Sequence, residues 1–166
     1  SLYSTETFEV LDSPAYRTAL ASQTAWSKAN IARFKNMIRG VARITISRGT
    51  GRGAVLGIIR LRPDAASRDK LRTALHDQLE PKDRDGIISM HLLENDARLS
   101  KPLTDNASDS DPGAGDWFVL IDGTNIAATE GIVTALGAAL ALKSAVISSG
   151  VYRLMWDLAK SDISAA

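Results

Sequence analysis

AVLGIIRLRPD, residues 54–64, is the stretch on which the fold turns. Ala54 to Leu61 is nearly continuous in apolar residues, and Pro63-Asp64 breaks it. A run of that length bounded by turn residues reads as a strand. Behind it Leu71, Leu75 and Leu79 recur at i, i+4 and i+8, the spacing of one helical face. The charged segment Pro81 to Gly86 then turns the chain into a strand at Ile87 to Leu93. A long polar loop is expected from Asn95 to Asp116. Trp117 to Ile121 reads as the next strand, closed by Asp122-Gly123-Thr124. Ile132, Val133, Leu136 and Leu140 mark a second helix, and Val151 to Leu158 a last strand. The order strand, helix, strand, strand, helix, strand is the split βαβ pattern. The expectation is an α+β, ferredoxin-like domain with an antiparallel sheet over residues 41–160, followed by a tail at 161–166. Such a sheet covers one face with its helices, so its other face needs a partner.

Upstream, Val41 to Ser47 alternates and is rich in β-branched residues, so another strand is expected there. Gly49-Thr50-Gly51-Arg52-Gly53 reads as a hairpin turn. Gly49, Gly51 and Ala54 match a loose dinucleotide-binding pattern, but that motif must open a helix and here a strand follows. Residues 1–22 read as a strand end and a helix that starts at Ser13-Pro14, with Tyr16, Ala19 and Leu20 on one face. Thr24 is placed to cap a further helix, with Ile31, Phe34 and Ile38 on one face and Gly40 as its stop. The first residue is Ser1, and a preceding segment is expected.

Composition narrows the classes. The 166 residues are 45% hydrophobic and 23% charged, which fits a globular chain of one domain, or one domain and part of another. Cysteine is absent, which excludes disulfides and thiolate metal sites and fits a cytoplasmic setting. The longest apolar stretch, Gly131 to Leu142, is too short for the roughly 20 residues of a membrane helix. The net charge is +1, yet residues 13–63 carry ten basic residues and no acidic one. Residues 64–116 hold twelve acidic residues against seven basic. The asymmetry reads as complementary surfaces within the fold or across a dimer, or else as an anion-binding surface.

Candidate chemistry is sparse. Asp105, Asp109 and Asp111 lack the glycine and flanking helices of a calcium loop. The sequon Asn106-Ala107-Ser108 reads as a chance match. His76 belongs on the exposed side of its helix. His91 is different. In its strand Ile88, Met90 and Leu92 share one face, and Ser89 and His91 share the other. If the first face meets the helices, His91 points at the sheet's second face, where it is the candidate catalytic base. By the same parity, Arg60, Asp122 and Arg153 are candidate ligand-binding residues, Arg153 lying opposite an apolar set of Tyr152, Leu154, Trp156 and Leu158. With two histidines and no cysteine, neither a metal nor another cofactor is expected.

Several strings resemble a known group. Ser13-Pro14-Ala15-Tyr16, Thr24-Ala25-Trp26, Phe34-Lys35-Asn36-Met37-Ile38-Arg39, His91-Leu92-Leu93-Glu94 and Asp116-Trp117-Phe118-Val119-Leu120 are similar to bacterial proteins of the dimeric α/β-barrel superfamily. The resemblance lies near the EthD-like and NIPSNAP-like branches. Those relatives often read Pro-Thr-Pro-Trp where this chain has Gln23-Thr24-Ala25-Trp26, and they carry an N-terminal repeat with a His- and acid-rich helix that is absent here. The resemblance implies paired ferredoxin-like units, with residues 1–40 the end of an incomplete first repeat plus a linker helix. It implies no reaction. Three functions compete. The first is a cofactor-independent enzyme acting on a small organic substrate, anionic ones included, inside a barrel made by self-association, as a homodimer or tandem barrel. The second is a non-catalytic ligand-binding or assembly module. RNA binding comes last, because the strand at Trp117 to Ile121 lacks the stacking consensus.

Overall fold

The computed structural model describes residues 1–35, 38–100, 112–139, 145–159 and 162. Five strands form one antiparallel sheet: β1 (Ala42–Gly49), β2 (Val55–Leu61), β3 (Ile87–Asn95), β4 (Trp117–Gly123) and β5 (Val146–Arg153). Their order is β1-β3-β4-β2-β5. Without β1 this is the ferredoxin-like arrangement, its two helices being α3 (Arg68–Gln78) and α5 (Ile126–Ala138). The earlier helices are α1 (Pro14–Ala21) and α2 (Ala25–Ile31), and α4 (Ala97–Ser100) is a single turn after β3.

The chain divides into two compact units, Ser1–Arg43 with Glu94–Trp117, and Ile44–Leu93 with Phe118–Ala166. In the second unit, period-two alternation separates the sheet faces. On β2, Val55, Gly57, Ile59 and Leu61 are buried while Leu56, Ile58 and Arg60 are half-buried. On β4, Val119, Ile121 and Gly123 are buried while Phe118, Leu120 and Asp122 are half-buried. Helix α5 lies on the buried side, because a side chain at Gly57 would stand 2.6 Å from Val133 and 2.9 Å from Thr129. Asn125 caps α5 by accepting from the Ala128 N–H (2.9 Å), and Val133 and Leu136 are buried along it. Asp64 accepts from the Ser67 N–H (2.8 Å) just before α3, whose Leu71 and Leu75 are buried, as is Leu79 after it.

In the first unit, Ser13 caps α1 by accepting from the Tyr16 N–H (3.2 Å), and Thr24 caps α2 through Ser27 (3.1 Å). Asp12 accepts from both Arg98 and Arg17, and these bonds hold its carboxyl down at about 2. Arg43 stacks 3.7 Å over the Phe8 ring and pairs with Glu9. Arg17, Arg43 and Arg52 thus pair with Asp12, Glu9 and Asp157, none of which lies in the acidic stretch 64–116.

Three expectations change. The strand expected at the chain start is a 3₁₀ turn, Phe8–Asp12. Helix α2 ends at Ile31 rather than near Gly40, and Phe34 and Ile38 are exposed. It buries no residue, so no tertiary packing prolongs it. The last strand is β5 at Val146–Arg153, not Val151 to Leu158. Pairing with β2 defines it, from Leu61↔Val146 to Val55↔Arg153, with a final bond from the Leu154 N–H to the Ala54 carbonyl (2.9 Å). Beyond that β2 offers no partner, and Tyr152, Leu154, Trp156 and Leu158 are exposed instead of forming a buried face. Leu140, the residues Asp105, Asp109 and Asp111, the sequon, and the tail other than Asp162 lie outside the described residues.

Candidate functional site

The half-buried face of the sheet in the second unit carries an apolar centre, Leu56 and Ile58 on β2 with Phe118 and Leu120 on β4. A polar chain borders it. On β3, Met90 and Leu92 are buried and His91 is half-buried. His91 Nδ1 lies 3.0 Å from Ser47 Oγ on β1, and Nε2 lies 3.1 Å from Ser89 Oγ, two residues away on the same strand. Ser89 is wholly buried; its hydroxyl reaches the Gly51 carbonyl (3.0 Å) and, at 3.4 Å, Asp122 Oδ2 on β4. Asp122 Oδ1 accepts from the Gly53 N–H (3.1 Å). Three strands and the β1–β2 turn therefore supply one connected set: Ser47, His91, Ser89, Asp122.

Electrostatics place His91 in its neutral form near pH 7. Burial lowers its pKa below the ordinary value, and the negative charge of Asp122 offsets part of that effect. A neutral imidazole is the form that accepts a proton.

The other candidates fall elsewhere. Arg60 shares the half-buried face by alternation, and its β5 partner is Ser148. In antiparallel neighbours, though, the end of β2 lies away from the end of β4. Val55 to Arg60 spans on the order of 15 Å of extended chain, and Asp122 is bonded just before that span begins, at Gly53. Arg153 is a correction. Its register partner is the buried Val55, so it belongs to the face opposite Arg60, His91 and Asp122. There it lines an open cleft of about 390 Å³ with Ala54, Val55, Thr124 and Asn125. The parity behind its placement took Tyr152 and Leu154 as the helix-facing set, whereas Tyr152 pairs with the half-buried Leu56. His76 is exposed on α3, where Arg48 donates to its Nε2 (2.8 Å). Among the described residues, no three His, Asp or Glu side chains group as a metal would require. No helix among them is long and apolar enough to cross a membrane.

Sequence reasoning set Ser89 beside His91 but gave it no role, and it missed Ser47. Ser47 reaches His91 because β1 lies beside β3, and nothing in the sequence said that β1 pairs with β3 rather than β2.

No protein-family model matches the chain, and neither does any curated protein. Among solved structures, the chain is similar to LmHde, a heme-degrading enzyme from Listeria monocytogenes, at 10% identity and a TM-score of 0.39, over 68% of this chain and 69% of that one.

Proposed function

We propose that the half-buried sheet face is the substrate site of a cofactor-independent, small-molecule enzyme of the dimeric α/β-barrel type, working in the cytoplasm with His91 as its base. One observation carries this reading: a neutral, half-buried histidine held through both ring nitrogens at the rim of an apolar face. A neutral imidazole has one donor nitrogen and one acceptor nitrogen, and each has a partner. Here Ser89 and Asp122 fix the ring on one side, while the other nitrogen is turned to an exposed hydroxyl. A second sheet, from another copy or a tandem repeat, closes the face and excludes water. Arg60, toward the far end, is the group that the anionic end of an extended substrate would meet.

The test is a panel of small esters, lactones, 1,3-diketones and keto acids followed by NMR in deuterated buffer. Turnover or exchange of at least one compound is expected, slowed about 10²–10⁴-fold in His91→Asn. No reaction, or a rate indifferent to His91, overturns the proposal. The apolar centre Leu56, Ile58, Phe118 and Leu120 favours a second reading, an assembly module. That reading gains if association persists and no chemistry depends on His91.

A further inference from the structure

We propose that Ser47 is a nucleophile, activated by His91, and that the substrate class is an ester or other activated acyl compound. This rests on His91 being the base of the site proposed above and names what its proton transfer serves.

The argument is a count of protons. Ser89 is fully buried and has one hydroxyl proton. The Gly51 carbonyl at 3.0 Å and Asp122 Oδ2 at 3.4 Å are pure acceptors, so Ser89 donates in their direction. Its oxygen is then left to accept, and what faces it at 3.1 Å is His91 Nε2. Nε2 therefore carries the imidazole hydrogen, and Nδ1 carries the lone pair. Ser47 Oγ, 3.0 Å from Nδ1, must be the donor. The result is an exposed serine hydroxyl hydrogen-bonded to the basic nitrogen of a neutral imidazole. The opposite N–H of that imidazole is fixed by a buried hydroxyl backed by a carboxylate. A nucleophile in reach of a base that a third group orients is the arrangement covalent catalysis requires. Ser89 and Asp122 are positioning residues; Ser47 and His91 touch the reacting atoms.

The step balances without any further reagent. Ser47 Oγ bonds to the carbonyl carbon as its proton passes to His91 Nδ1. The carbon–oxygen bond to the leaving alcohol breaks, and the proton on Nδ1 goes to that alcohol. Water then attacks the acyl-serine, giving its proton to Nδ1, and the serine oxygen leaves and takes it back.

The experiment uses an alkyl fluorophosphonate on the intact chain, in which Ser47 Oγ displaces fluoride. One phosphonyl group per chain is expected by intact mass, mapped by peptide sequencing to Ser47. Ser47→Ala should abolish the label and His91→Asn should slow it about 100-fold, with circular dichroism confirming that both variants fold. In Asp122→Asn the pH midpoint of labelling should fall, since Asp122 is the charge that raises the His91 pKa. A label on another serine, no label, or labelling at the wild-type rate in His91→Asn overturns the proposal. Deuterium exchange into carbon acids that needs His91 yet survives Ser47→Ala would sink the serine and leave the enzyme reading intact.

Discussion

At the residue scale, His91 couples the site to stability. Its folded pKa is lowered, chiefly by burial, from an unfolded value near 6.5. A depressed pKa means that the folded state binds fewer protons than the unfolded one between the two values. The associated stability is therefore fully present above about pH 6.5 and is lost as the pH falls through the folded pKa. Melting temperature should fall as buffer pH is lowered from 8 toward 5, and His91→Asn should flatten that part of the curve. A wild-type profile identical to that of the variant would show that His91 titrates as it does in the unfolded chain. Alternation in the sequence was enough to put His91 on the face away from Met90 and Leu92. It could not assemble the polar chain, because Ser47 arrives from β1 and Asp122, which Ser89 reaches, from β4.

At the scale of elements, the contact between α5 and β2 decides whether the helix layer closes. A side chain at Gly57 would stand 2.6 Å from Val133 Cγ2 and 2.9 Å from Thr129 Cγ2. Gly57→Ala should then cost about 1–3 kcal/mol by overpacking. Leu136 is 4% exposed on the same helix. Leu136→Ala should cost about 2–5 kcal/mol, the range for a leucine truncated in a packed core. Urea denaturation of both variants checks these numbers, and an unchanged midpoint for either would mean that α5 does not pack on β2 as described. The helices α3 and α5 were readable because leucines and valines recur at helical spacing. Strand β5 was not, because it is an edge strand: its Ser148, Ser149 and Gly150 carry no apolar signal, and only hydrogen bonds to β2 define it.

At the scale of the whole molecule, the half-buried sheet face raises the question of association. Leu56, Ile58, Leu93, Phe118 and Leu120 are left partly open to solvent in the single chain. A contiguous apolar face of that kind marks an interaction surface. Light scattering at micromolar concentration should give a multiple of the chain mass, and Phe118→Asp should shift the population toward monomer. A monomer mass for the wild type would remove the second sheet from the proposed site.

The sequence by itself determined the helix–strand order, the starts of α1 and α2, and the separation of Met90 from His91 across their sheet. All of these rest on interactions within a few residues: periodicity, caps and turn chemistry. Only the tertiary structure decided that β1 pairs with β3, that β5 ends at Arg153, and that Arg153 leaves the face shared by Arg60, His91 and Asp122. Strand register is set by hydrogen bonds between distant segments, and a shift of one residue exchanges the two faces. The polar chain from Ser47 to Asp122 draws on three strands at once, so pairing had to be fixed before its residues could meet.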